Sequence, residues 1–197
     1  MLLSASTSLD GFQVPDFSLP NLTEEHLTLS TYAQGRPLLV TFAANHCPYV
    51  KHLEVALGEL AADFGEEALA ILAISSNDVA SYPGDDAAGL QSQARRANWH
   101  FPYLIDTDQT AAHTFGAVCT PDFFLFGGDG VLVYRGAFDR SSPGNEEPND
   151  GCLMRAAISA LLAGESVAAP EKAAMGCSIK WKTSESFESE PAHDGPS

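Results

Sequence analysis

Cys47 is the residue whose surroundings most favour chemistry. It lies in Ala44-Asn45-His46-Cys47-Pro48-Tyr49-Val50-Lys51, between an apolar run suited to a buried strand and a segment of helical periodicity. Proline is favoured at the first position of a helix, so Pro48 makes Cys47 the N-cap or its immediate neighbour. A sulfur there faces free backbone N–H groups and the positive end of the helix dipole, and both favour thiolate over thiol. Thiolate is the nucleophilic form, and the loop after a strand's C-terminal end is where α/β folds hold their ligands. His46 and Lys51 can add positive charge. The competing reading is an inert cysteine buried at a strand–helix junction; the proline, the flanking histidine and the junction geometry favour the reactive one.

The remaining cysteines, Cys119, Cys152 and Cys177, are widely and irregularly spaced. That pattern does not describe a secreted disulfide framework, and the lack of any CxxC pair removes zinc ribbons and c-type haem attachment. His26, His100, His113 and His193 show no metal-ligand spacing, and His46, Cys47 and His52 would share a metal only if their loop folded back. No metal and no other cofactor is expected.

The elements that must position Cys47 follow from the hydrophobic pattern. Residues 11–32, broken by Pro15, Pro20 and Asn21, suggest an N-terminal strand and hairpin. Leu38–Phe42 and Leu69–Ile74 are continuous apolar runs of the kind found in strands buried on both faces. Between them Val50, Leu53, Leu57, Leu60, Ala61 and Phe64 recur at helical spacing before Gly65. A looser helix follows near 86–98, then a short strand at Tyr103-Leu104-Ile105 and a helical turn near 108–115. Phe123–Phe126, the turn Gly127-Gly128-Asp129-Gly130 and Val131–Tyr134 form a hairpin. Residues 141–151 are a loop, and 152–163 a last helix with Leu153, Ala157, Leu161 and Leu162 as its apolar stripe. This alternation predicts an α/β fold: a mixed central β-sheet flanked by helices, with an N-terminal β-hairpin. After Gly164 the chain is expected to be irregular, with one domain over 1–182 and a disordered acidic tail over 183–197.

Composition narrows the function classes. There are 10 Lys+Arg against 26 Asp+Glu, a formal charge of −16. With so few and scattered basic residues, neither nucleic acid nor an anionic membrane surface is an expected partner. No apolar run approaches the roughly 18 residues of a membrane span, and the start of the chain lacks a basic n-region, so a cytoplasmic protein is expected.

The chain resembles the thioredoxin-like superfamily, in particular its peroxiredoxin-like branch (the AhpC/TSA, redoxin type). The matching blocks are Val14-Pro15-Asp16-Phe17-Ser18-Leu19-Pro20, Asn45–His52, Ser75-Ser76-Asn77-Asp78, Phe101-Pro102-Tyr103-Leu104, Cys119-Thr120-Pro121-Asp122-Phe123-Phe124, Tyr134-Arg135-Gly136 and Gly176–Trp181. They run in order over about residues 11–182. The resemblance implies a thioredoxin-like fold and places Cys47 at the first cysteine of the thioredoxin CxxC, with Val50 at the second. The Pro and the Thr or Ser that typical peroxiredoxins carry before their peroxidatic cysteine correspond to Val40 and Ala44. Many members of the branch also have a cysteine at the position of Ala44, so here the second thiol must lie elsewhere. Thr41 stands near the place where thioredoxins often bury an acid. Thr120-Pro121 resembles the cis-proline loop, which pairs its backbone with an extended substrate.

The expectation is therefore a thiol-dependent oxidoreductase using Cys47 as nucleophile, a peroxiredoxin-like enzyme that reduces peroxides. Cys177 is the candidate resolving cysteine, on a segment beyond the last helix free to travel, and Cys119 the alternative. His46, Pro48, Thr120 and Pro121 are the candidate substrate-binding residues. The partners implied are a peroxide or protein disulfide and an external dithiol such as thioredoxin, with the chain a monomer or homodimer. The alternatives are a protein thiol–disulfide reductase or isomerase, and a redox-sensing or peptide-binding module without turnover. Asp85-Asp86 and Glu146-Glu147 are expected to be solvated loop charges, and Asp106 and Asp108 turn formers.

Overall fold

The structure is a computed structural model that describes residues 1–8 and 11–183. The tail expected to be disordered therefore lies, beyond Thr183, outside the described residues. In chain order the elements are β1 (Leu2–Ser4), β2 (Ser18–Pro20), β3 (His26–Thr28), α1 (Leu29–Ala33), β4 (Leu38–Phe42), α2 (Pro48–Phe64), β5 (Ala70–Ser75), α3 (Ala87–Arg96), β6 (Tyr103–Ile105), α4 (Thr110–Phe115), β7 (Cys119–Thr120), β8 (Asp122–Phe126), β9 (Leu132–Tyr134), α5 (Cys152–Leu162) and β10 (Met175–Ser178). A single 3₁₀ turn, Pro83–Asp85, precedes α3.

Five strands form the central sheet in the order β6-β5-β4-β8-β9. β4, β5 and β6 are parallel, whereas β8 and β9 run antiparallel as the closing hairpin. Side chains alternate across a strand, so each apolar run divides between two faces. Leu39, Ala43, Ile71, Ala73, Phe123 and Leu125 meet α2, α3 and α5 on one side. Leu38, Val40, Phe42, Leu72, Ile74, Phe124 and Phe126 meet α1 and α4 on the other. The helix α2 buries Val50, Leu53, Ala56, Leu57 and Leu60 at the spacing that its sequence predicts. In α5 the buried stripe is Met154, Ala157 and Ile158, while Leu162 is exposed; the helix is rotated about one residue from the expected face, because Met154 packs into the core.

A second sheet departs from expectation. β1, β10 and β7 form an antiparallel three-stranded sheet in that order. The segment after Gly164 is thus not irregular throughout: Met175–Ser178 is a strand held on both edges, opposite Leu2–Ser4 and opposite Cys119–Thr120. These strands have two to four residues each, too short for a period-2 pattern to be legible. α1 was likewise hidden inside the N-terminal hairpin region.

Candidate active site

The site is built where three backbone segments meet. Cys47 is the N-cap of α2 and Pro48 its first residue, as the sequence predicts. Its sulfur does not cap the helix. The thiol instead donates to the carbonyl of Thr120 at 3.0 Å. Thr120-Pro121 is a cis peptide. Cys47 is also not loop-exposed: its accessible surface is 0%, whereas Cys177 is partly open to solvent.

Cys177 comes to this point on β10, where it lies directly opposite Thr120 in the ladder. Burial pushes the Cys177 thiol up, and the nearby Cys47 thiol pushes it further. The expectation that Cys177 must travel to Cys47 is therefore corrected. Paired strands hold it beside Thr120, whose carbonyl accepts the Cys47 thiol, rather than on a free segment. The approach depends on a glycine. A Cβ at Gly176 would stand 1.9 Å from Thr120 O and 3.0 Å from Pro121 N, so only glycine lets β10 lie this close.

Cys119, on the other side of the same short strand, is fully buried, and its thiol contacts the Pro121 carbonyl at 3.6 Å. Burial, reinforced by the Asp122 carboxylate, drives its thiol strongly upward. Cys152 begins α5 beside Arg140 Nη1 at 3.7 Å and takes no part in the cluster.

The turn that carries Cys47 is fastened from outside. The Asp85 carboxylate accepts from His46 N at 3.0 Å and from His46 Nδ1 at 2.5 Å, and from Asn77 Nδ2 at 2.8 Å. Burial works to raise the Asp85 carboxyl, but these hydrogen bonds outweigh it and hold it below the ordinary range. Asp85 is 1% exposed, so it is not a solvated loop charge. Asp86 caps α3 through Gly89 N at 2.7 Å. Asp106 likewise is more than a turn former: buried, it accepts from Ala111 N and Ala112 N at the start of α4. No adjacency in sequence marked Asp85 as a partner of His46; the only available signal was its position ahead of a helix.

Under the proline loop, Asp122 and Arg135 form a buried pair at 3.0 Å, with Arg135 lying over the Phe124 ring. Burial pushes Asp122 up to about 6 against the pull of Arg135. Arg135 is committed here rather than to a thiolate. Breaking a buried pair strands a charge, which costs about 3–5 kcal/mol. Asp122→Ala is accordingly expected to lower unfolding stability at pH 7 by that amount, as read from urea denaturation.

A shallow cleft of about 60 Å³ opens beside Pro121, lined by Tyr49, His52, Phe123, Phe138 and Met175 among others. No group of three or more metal-ligating side chains exists among the described residues.

Parallel strands β4 and β5, the antiparallel β8–β9 hairpin, a thiol at the N-terminus of α2 and a cis-proline loop against it define a thioredoxin-like fold and a thiol oxidoreductase of that class. Residues 11–135 match the model of the AhpC/TSA family, and the chain belongs to that family. Among solved structures it is similar to an uncharacterized conserved protein from Geobacillus kaustophilus, with 39% identity, a TM-score of 0.88, and 93% of this chain and 98% of that one covered. A hypothetical protein from Sinorhizobium meliloti 1021 is similar at 38% identity and a TM-score of 0.87, over 91% of this chain and 97% of that one. A thiol:disulfide interchange protein DsbE of Yersinia pestis is 29% identical over 135 residues, 68% of this chain; the chain spans 66% of that relative's length.

Proposed function

We propose that the protein is a two-cysteine peroxidase in which Cys47 and Cys177 of one chain form the redox couple. The observation that carries this is that both cysteines meet at Thr120: its carbonyl accepts the Cys47 thiol at 3.0 Å, and Cys177 lies opposite it in the strand ladder. In the oxidative half, the Cys47 thiolate attacks the O–O bond of a hydroperoxide; the alcohol or water leaves and a sulfenic acid remains. The Cys177 thiol condenses with it, water is released and a disulfide forms. An external dithiol of the thioredoxin kind then attacks the more exposed sulfur, Cys177, and Cys47 leaves as thiolate. Such a reductant suits a cytoplasmic setting.

A small oxidant is supported by two features. Cys47 has no accessible surface, so only a small reagent or a local opening reaches its sulfur. The Thr120 edge, which an extended polypeptide would need, is already paired with β10. Thr120 therefore pairs with the chain's own strand in this structure. Thiol–disulfide interchange is the second reading, favoured by the likeness to the Yersinia interchange protein.

Stopped oxidation of the reduced protein separates them. Equimolar hydrogen peroxide should convert the dithiol to one intrachain Cys47–Cys177 disulfide, mapped by non-reducing digestion and mass spectrometry. Inertness to peroxide, combined with rapid oxidation by a peptide disulfide, would replace peroxidase by interchange.

A further inference from the structure

We infer that His46, oriented by Asp85, is the acid–base group of the reductive half-reaction. The inference rests on the Cys47–Cys177 couple proposed above. Asp85 is held below its ordinary range, so it is a carboxylate and can only accept. The 2.5 Å contact therefore places the shared hydrogen on His46 Nδ1. Nε2 has no partner among the described residues, and the side chain is 26% exposed. Every proton the ring gains or loses passes through Nε2, in the residue next to Cys47.

The ring is also linked, through Tyr82, to the segment that follows Cys177. It stacks on Tyr82 with centroids 4.6 Å apart, and Lys180 Nζ stands 5.3 Å from the centre of that same tyrosine ring. Asn77 ties the two sides together: it donates to Asp85 and accepts from Lys180 N at 2.8 Å. One buried carboxylate thus positions the residue before Cys47 and, through Asn77, the segment that follows Cys177. The charged and titratable groups around the ring are Asp85 and Tyr82 from the loop before α3, Lys180 from beyond β10, and Cys47 on its own turn. Arg96 of α3 reaches the neighbouring Asn45 at 3.1 Å while paired with Glu54.

As the incoming thiol's sulfur bonds to Cys177 Sγ, neutral Nε2 takes its proton. The Cys47–Cys177 bond breaks, its electron pair goes to Cys47, and the imidazolium returns the proton to that thiolate. The products are a mixed disulfide at Cys177 and a Cys47 thiol.

The test measures reduction of the isolated oxidised protein by dithiothreitol across pH, with melting temperatures as a check on folding. His46→Gln, which keeps a polar side chain but cannot titrate, is expected to slow reduction near neutral pH by about a hundredfold, in the range of general acid–base catalysis, and to remove the limb of the pH–rate profile due to the ring. Asp85→Asn should shift that limb. Added imidazole should restore part of the rate in His46→Ala. Wild-type rates and an unchanged profile in His46→Gln, with the Cys47–Cys177 disulfide present, would overturn the role of His46 alone. Failure of the wild-type protein to form that disulfide would overturn the redox couple and, with it, this inference.

Discussion

Cys177→Ser is expected to stop the cycle after its first chemical step. In the variant, peroxide should still oxidise Cys47, but no thiol stands against it to condense with the sulfenic acid. Cys119 is buried within the same loop, its thiol engaged with Pro121 and driven upward by its surroundings. Cys152 lies at the start of a different helix beside Arg140. Sulfinic acid should then accumulate at Cys47, and recycling by a dithiol should fall to background. Cys119→Ser and Cys152→Ser should keep the disulfide. Mass spectrometry of peroxide-treated protein reads all three. A Cys47–Cys119 disulfide in Cys177→Ser, formed at the wild-type rate, would move the resolving role to the proline loop.

The second large effect is expected from Gly176→Ala. The added methyl would meet Thr120 O at 1.9 Å and Thr120 C at 2.5 Å, both backbone atoms. That carbonyl cannot swing away freely, since it accepts the Cys47 thiol at 3.0 Å and belongs to a strand paired with β10 itself. β10 must lift instead. Overpacking of this kind costs about 1–3 kcal/mol. If the cost falls on local opening of β10, its open population rises by roughly five- to 150-fold, and alkylation of buried Cys47 accelerates in proportion. In the wild-type protein Cys177 and Cys152 should label before Cys47, because Cys47 has no accessible surface. In Gly176→Ala, Cys47 should join them, and disulfide formation should slow. Unchanged Cys47 labelling in a folded Gly176→Ala protein would mean that β10 does not cover the thiol in solution.

The central sheet was legible because its strands are long enough to bury whole apolar runs. Leu38–Phe42 and Leu69–Ile74 read as strands from composition alone, and Pro48 marked both the helix start and the cysteine before it. Cys47 and Thr120-Pro121 were found from chemistry and from resemblance. The strand Met175–Ser178 was not legible: its sequence, Met-Gly-Cys-Ser, has no alternation, and its two partners, Leu2–Ser4 and Cys119–Thr120, lie far from it and from each other in sequence. The consequence was an expectation that Cys177 lies on a free segment, where the structure has it on a paired strand. Asp85 was missed for a related reason. A carboxylate in a Pro-Gly-Asp-Asp turn looks solvated until the turn folds over His46, a contact 39 residues away in sequence.

The pairing of β10 with β7 also links oxidation to global stability. A bond from the start of α2 to the last strand closes a loop of more than a hundred residues, running from α2 to β10. In the chain-entropy account, such a crosslink withholds about 4–5 kcal/mol of freedom from the unfolded chain. Thermodynamic reciprocity requires that folding favour the crosslink by the same amount. At about 1.4 kcal/mol per 30 mV, the native fold would draw the couple's potential roughly 100 mV below that of the same two thiols in an unfolded chain. The oxidised protein would melt later than the reduced one, and its heat resistance would report its redox state.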